Sequence, residues 1–223
     1  MRNQGIDFTL INKGNIAGDI GYELTLTGGF LSNEVVAFSP GIEFIPGDIG
    51  YRGIIPVQNQ VGEPLSSFYG YDVVGLFRDD AEVASAATQA GAAPGRFRFR
   101  DVDGDGEITP DDRVILGSPV PDFTGGLVAK FNWKGFDLEI YSFLSVGGEI
   151  YNISKVFTHM YPLFPGAAIS ADVKDSWTFE NPTGDIPVFE NVSNFSTNTQ
   201  SSSFYVEDGS YFRIQNQIGR AHV

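Results

Sequence analysis

Two kinds of stretch alternate along the chain. Gly5 to Leu10 sets Ile6, Phe8 and Leu10 against Asp7 and Thr9, the period of two that marks a strand with one apolar face. Turn chemistry follows at Asn12-Lys13-Gly14-Asn15 and Gly18-Asp19. The next strand sets Tyr22, Leu24 and Leu26 against Glu23, Thr25 and Thr27, and the pattern runs on through Phe30 to Val36. Further on, Leu127, Ala129, Phe131 and Trp133 alternate with Val128, Lys130 and Asn132. After Lys134-Gly135, Phe136, Leu138 and Ile140 alternate with Asp137, Glu139 and Tyr141. A last strand starts at Phe204. The pattern therefore predicts strands over residues 5–12, 20–36, 123–133, 136–150 and 204–216. Periodicity fails over 37–122 and 151–203, apart from a short helix expected from Ile169 to Trp177.

The lengths of the connections matter more than the strands. Tight turns alternate with two very long connections, and structureless loops beyond about fifteen residues are uncommon unless they carry function. Short turns at one end and long loops at the other is the layout of an outer-membrane barrel, whose outer face meets lipid and whose inner face is wet. A soluble β-sandwich with one solvated face produces the same alternation. Pattern alone leaves both open.

Composition narrows the field. The 223 residues carry 28 acidic and 14 basic side chains, a formal charge of -14, so no basic footprint for nucleic acid exists. With 42% hydrophobic and 19% charged residues, the chain is too apolar for a disordered acidic tail. Cysteine is absent, which removes disulfides, thiol catalysis and cysteine-bound zinc. No run of eighteen apolar residues exists, so no transmembrane helix is expected, although barrel strands give a far weaker signal. Met1-Arg2-Asn3-Gln4 enters a strand with no signal segment, which reads as a cytoplasmic start or an internal piece of an exported protein. At the other end, Ile218-Gly219-Arg220-Ala221-His222-Val223 is what a common sequencing adapter encodes (ATC GGA AGA GCA CAC GTC). Residues 1–217 are therefore expected to be the natural segment and 218–223 read-through.

One motif carries chemistry. Asp101, Asp103, Asp105, Gly106, Glu107, Thr109 and Asp112 occupy positions 1, 3, 5, 6, 7, 9 and 12 of a calcium-loop pattern. Alternate carboxylates on a curled loop converge on one hard cation, and Gly106 permits the sharp turn. Glu107 is expected to offer its backbone carbonyl and Thr109 a water or its hydroxyl, while Asp112 replaces the usual bidentate Glu and shortens its reach. The flanks do not fit an EF-hand: Arg96-Phe97-Arg98-Phe99-Arg100 reads as a strand, and Pro110-Asp111-Asp112 allows one turn of helix. The expected ion is structural Ca2+; the plainer alternative is a metal-free Asp-Gly turn. Arg96, Arg98 and Arg100 read as a solvated face pairing with nearby acids, or as a contact for an anionic ligand. Tyr69, Tyr71, Tyr151 and Tyr161 offer stacking for sugars or packing for the loops. His159 reads as an ordinary loop residue, and His222 lies in the adapter-like end. No carboxylate pair stands out as catalytic, so no enzymatic activity is expected.

Four stretches, in order, resemble the SusC/RagA family of TonB-linked outer-membrane transporters. They are Val61 to Tyr71; Asp101 to Ile108 with Asp112 to Gly117 and Pro121 to Gly126; Trp177 to Pro182 with Asp185-Ile186-Pro187; and Phe204 to Ile214. The resemblance implies an all-β, antiparallel transmembrane barrel with long extracellular loops, of which this chain supplies four to five of about twenty-two strands. No signal peptide, TonB box, plug domain, early strands or closing aromatic strand is found. The implied parent imports oligosaccharides or peptides across a Gram-negative outer membrane of Bacteroidetes type. Its partners would be a SusD-like lipoprotein lid, TonB acting through regions outside this chain, and outer-membrane lipid. The alternative is a secreted, calcium-stabilised β-module that binds glycans or a protein partner.

Overall fold

A computed structural model describes residues 1–16, 18–48, 50, 53–160 and 166–221. Its backbone is one large antiparallel sheet with a folded cap at one end. The sheet contains β1 (Arg2–Ile16), β2 (Ile20–Glu34), β9 (Phe123–Trp133), β10 (Phe136–Val146) and β13 (Tyr211–Ala221), in the order β1-β2-β9-β10-β13.

Register puts the apolar positions on one side. Leu24 lies opposite Ala129, which lies opposite Ile140; Tyr22 lies opposite Phe131, which lies opposite Leu138. On the other side Lys13 faces Glu23, Glu23 faces Lys130 and Lys130 faces Glu139. This row alternates in charge across four strands, and Lys130 Nζ reaches Glu139 Oε1 at 3.0 Å. Cross-strand pairs of this kind are what hold a sheet in register.

No second sheet covers the apolar side among the described residues. Ile6 is 71% exposed, Leu10 62% and Phe8 41%. Exposed apolar side chains on one face with paired charges on the other are what the wall of a barrel in lipid presents. The eleven residues of β9, at roughly 3.3 Å each, run about 35 Å. Tilted by about 45°, that length gives roughly the 25 Å apolar band of an outer-membrane barrel. Trp133 and Phe136 stack at one end (6.5 Å) and Phe30 and Phe123 pack at the other (4.8 Å), where aromatic girdles belong.

Both tight turns lie at the Trp133 end, since Ile20 pairs with Trp133 and Trp133 with Phe136. The second turn places Lys134 at φ 44 and Gly135 at φ 85, left-handed geometry that matches hairpin twist. Both long connections leave from the opposite end.

Those connections are not structureless. The first contains β3 (Phe44–Pro46), β4 (Val57–Gln60), β5 (Ser67–Tyr71), β6 (Val73–Leu76), α1 (Asp80–Ser85), β7 (Phe97–Phe99) and β8 (Arg113–Gly117). The second holds β11 (Glu149–Tyr151), α2 (Lys155–Thr158), β12 (Val206–Asp208) and two 3-10 turns, Ala171–Asp175 and Ser203–Tyr205. They share one hydrophobic core: Tyr71, Leu76, Phe97 and Phe99 from the first pack with Val156, Met160, Trp177 and Tyr205 from the second. Loss of periodicity over 37–122 therefore does not mean loss of a buried core. The aromatics of this stretch are buried without periodicity, because each reaches the core from a different short element.

Other boundaries also differ. The strand expected from Phe204 divides, because Tyr205 is fully buried in the cap and Ser210 N–H donates to Asp208 Oδ1 (2.8 Å) in a turn before β13. β12 pairs with β11 and not with β10. The segment 136–150 breaks at Gly147 and Gly148, both left-handed at φ 73 and 75. The helix expected from Ile169 to Trp177 is a five-residue 3-10 turn started by Ser170 Oγ, which accepts from Asp172 N. β13 continues beyond residue 217, and Ile218 to Ala221 pair with Glu139 to Phe136. His222 and Val223 lie outside the described residues.

Candidate functional site

The acidic loop lies between β7 and β8, on the cap. Asp101, Asp103 and Asp105 each offer a carboxylate oxygen, and these oxygens lie within 4.8 Å of one another. Backbone N–H groups hold them inward. Asp101 Oδ1 accepts from Gly104 N (2.7 Å) and Oδ2 from Gly106 N (3.0 Å). Asp103 Oδ1 accepts from Asp105 N (3.1 Å), and Asp105 Oδ1 from Glu107 N (2.8 Å). Gly106 stands at φ 87, a conformation glycine adopts at no steric cost.

Asp112 plays a different part. It is fully buried, with Oδ1 accepting from Val102 N and Oδ2 from Thr109 N, both at 2.7 Å. It therefore closes the loop and lies outside the three-carboxylate cluster. Thr109 caps the 3-10 turn at Pro110–Asp112, its Oγ1 accepting from Asp111 N (3.2 Å). Glu107 is tied to the rest of the cap through a bridge to Thr88. The three clustered acids are a hard, oxygen-only donor set, which fits a calcium-type cation.

The other singled-out residues are mostly structural. Arg96 binds Glu190 (2.7 and 2.8 Å) and Arg100 binds Asp72 (2.8 Å), so two of the three arginines pair with acids. The stripe is not one solvated face, however: the Arg96 pair is largely shielded, and Arg98 Nε is buried without a hydrogen-bond partner among the described residues. Tyr71 is 2% exposed and stacks on Phe99 at 4.9 Å. Tyr151 packs against Phe68 and Tyr205, and burial pushes its phenol up to about 12 although Ser201 and Ser202 hydrogen-bond to it. The Tyr71 ring is closed to a sugar, whereas Tyr151 is half-buried. Tyr69 carries the Arg113 guanidinium at 5.6 Å over its ring, and Tyr161 lies outside the described residues. His159 Nε2 sits 3.1 Å from Asp172 Oδ2, a link between α2 and the following 3-10 turn.

One cleft at the base of the cap was not singled out by the sequence. An open cleft of about 340 Å3 lies where the end of β2 meets the base of the cap. Its lining comes from β2, the 63–64 turn, β8, the 118–122 connection and the β10–β11 junction, so no single stretch of sequence announces it.

No family model matches the chain. The chain is 34% identical over 229 residues to TonB-dependent receptor P3 of Formosa agariphila, covering 97% of this chain and 21% of that protein. It is 32% identical over 219 residues to TonB-dependent receptor P26 of the same organism, covering 96% of this chain and 21% of the relative. It thus spans about a fifth of the length of the curated relatives it matches. Among solved structures, the RagAB peptide transporter superimposes with a TM-score of 0.72 at 19% identity, over 96% of this chain and 22% of that one. The RagAB peptide importer in its 'closed-closed' state gives 0.70 at 19%, over 96% and 22%. These relatives are receptors and transporters, not enzymes. Identity to curated receptors along nearly the whole chain and the shared barrel-wall fold agree: the chain belongs to the TonB-dependent receptor family and carries a stretch of its barrel wall with the cap built on it.

Proposed function

We propose that this segment forms part of the wall and extracellular cap of an outer-membrane transporter that imports oligosaccharides or peptides. A SusD-like lipoprotein closes the cap from outside, and TonB supplies energy through parts of the protein beyond this segment. One observation carries the reading: all tight turns lie at one end of a sheet with an apolar outer and polar inner face, and both long connections fold together at the other. The segment's own role is binding and conduction, with the charged row Lys13-Glu23-Lys130-Glu139 on the wet side. Deletion of the full-length gene in its host, scored by uptake of labelled oligosaccharide and peptide mixtures, tests it. Unchanged uptake of both overturns it.

The same reading includes a structural Ca2+ held by Asp101, Asp103 and Asp105, with Glu107 contributing its carbonyl, Thr109 a water or hydroxyl, and Asp112 closing the loop. The support is the convergence of the three carboxylates on one point. The ion would neutralise their repulsion and would take no part in transport chemistry.

A further inference from the structure

One arginine of the β7 stripe is not used by the cap's own framework. Arg96 is held by Glu190 through Nε and Nη2, at 2.7 and 2.8 Å, and Arg100 Nη2 lies 2.8 Å from Asp72. Arg98 stands between them on the same strand, and among the described residues no carboxylate, carbonyl or aromatic ring takes its guanidinium. Its Nε is sealed from water without an acceptor. Three guanidinium groups and two carboxylates leave one positive charge over, in a chain whose formal charge is -14.

The strand geometry leaves room beside it. Arg98 lies opposite Gly75 of β6, and opposite residues of an antiparallel pair project from the same face. No atom lies within 4 Å of the point where a side chain at 75 would begin. Gly75 stands at φ 150, a conformation that residues with side chains rarely adopt, so the backbone itself keeps the gap open. The register shifts between Val73 and Gly75, a bulge of the kind that re-aims a neighbouring side chain. Phe97 and Phe99, on the other face of β7, are buried in the cap core and anchor the strand. The guanidinium is thus carried by a fixed strand beside an unfilled space.

A buried N–H of a charged group without an acceptor costs free energy, which a bound acceptor recovers. The planar fork of a guanidinium fits two oxygens of a carboxylate, sulfate or phosphate. Arg96 shows that fit on Glu190 only two positions away. A cation would be repelled here, and a neutral sugar would leave the charge unanswered. We propose that Arg98 and the gap at Gly75 form a binding site for one oxyanion. The site does not depend on the transporter reading. That reading supplies one source for the ligand, an acidic group on transported material; a free inorganic anion is the other.

The test uses the full-length receptor purified in detergent. Titration calorimetry compares sodium sulfate with sodium chloride at matched ionic strength, and a trimer of glucuronic acid with a trimer of glucose. Sulfate should bind where chloride does not, and Arg98→Gln should abolish its binding. Arg98→Lys, which keeps the charge and loses the fork, should weaken it. Arg100→Gln removes an exposed cation already paired with Asp72 and should leave it intact. A glucuronate trimer that binds about tenfold more tightly than the glucose trimer, with the preference lost in Arg98→Gln, assigns the anion to transported material. Sulfate binding alone, lost in the same variant, assigns it to a free ion. Binding of neither anion overturns the proposal, and is the result expected if an acid elsewhere in the receptor already holds Arg98. Binding that survives Arg98→Gln overturns it as well. A heat-modifiable band in gel electrophoresis reports a folded barrel for each variant. A receptor without that band fails the transporter reading, whereas a folded barrel that binds neither anion fails only this inference.

Discussion

Arg96 grips Glu190 through two parallel hydrogen bonds, Nε to Oε1 at 2.7 Å and Nη2 to Oε2 at 2.8 Å. The pair joins the two long connections across 94 positions of sequence, with both side chains largely shielded at 17% and 22% exposure. Next to it Val188 N–H donates to Gly95 O (2.8 Å), and Phe97 N–H donates to Ser196 O (2.8 Å). The cap is thus one co-folded unit, stitched by backbone as well as by charge.

Arg96→Lys keeps the charge but loses the fork, since an ammonium cannot bind both oxygens in the same plane. The expected cost is about 1–2 kcal/mol of local cap stability. Hydrogen exchange on the full-length protein should speed up at Gly95, Phe97 and Val188 while the amides of β9 and β10 stay protected. Uniform acceleration throughout would show that cap and wall unfold as one unit.

The wall has two unequal sides. Leu24 and Ile140 both face Ala129, near the middle of the strands, so Leu24→Arg should cost roughly 2–4 kcal/mol in the membrane-inserted protein. Phe131→Arg and Leu138→Arg, nearer the tight turns, should cost less, as should Phe8→Arg toward the cap. Thr25→Arg and Asn132→Arg point to the lumen and should be tolerated. Denaturant unfolding in lipid vesicles measures the series, and equal sensitivity of the two sides would contradict the barrel wall.

Alkaline pH should loosen the cap through Tyr151. Its phenol is raised from an ordinary 10.0 to about 12, mainly by burial. A folded-state value above the unfolded one means that the associated stability is full below pH 10. It is lost as the pH rises through about 12. The loss amounts to about 2–3 kcal/mol. Tyr151→Phe should flatten that dependence. Cap proteolysis measured across this range, in both proteins, is the readout; identical pH profiles would remove Tyr151 as the cause.

Glu207 gives the opposite sign. The hydrogen bond from Lys155 holds its carboxyl below the usual glutamate range, with Asn152 adding to the effect. The link from β12 to α2 is therefore intact above the ordinary glutamate value and weakens as acidification passes through the lowered one. Its side chain is 42% exposed, so only a few tenths of a kcal/mol are expected. Glu207→Gln should abolish a small acid-dependent increase in exchange at Asn152 and Tyr205.

Calcium should act locally. At a free ion level about a hundredfold above its dissociation constant, binding would add about 2.7 kcal/mol to the ordered loop. Because Phe97, Phe99 and Ile108 are already packed in the cap core, the effect should stay between Asp101 and Asp112. Chelation should speed tryptic cleavage at Arg100 and Arg113, and Asp103→Asn with Asp105→Asn should copy it. Equal cleavage with and without calcium would leave a metal-free turn.

Legibility in the sequence followed the range of the forces involved. Alternation in Leu127 to Trp133 and Phe136 to Ile140 is a local consequence of the pleat, which sends successive side chains to opposite faces. Strands, faces and the position of the tight turns were therefore readable without a fold. The spacing of Asp101, Asp103 and Asp105 was readable for the same reason, since their convergence needs only the curl of one loop. Asp112 was not: its spacing matched a ligand, but the closed loop directs both its oxygens to Val102 N and Thr109 N.

Residues 37–122 and 151–203 looked irregular because their order comes from contacts between them. Phe97 meets Phe204 at 4.9 Å, and Tyr71 meets Phe195 at 5.3 Å, with no repeat along either segment to announce the pairing. By itself the sequence determined a two-faced wall with short turns at one end, because pleat and turn geometry act over a few residues. The tertiary structure decided that the two long connections form one cap, and that Glu63, Asp122 and Glu149 border one open cleft at its base. Burial rewards whichever apolar groups the closed chain brings together, however far apart they lie along it.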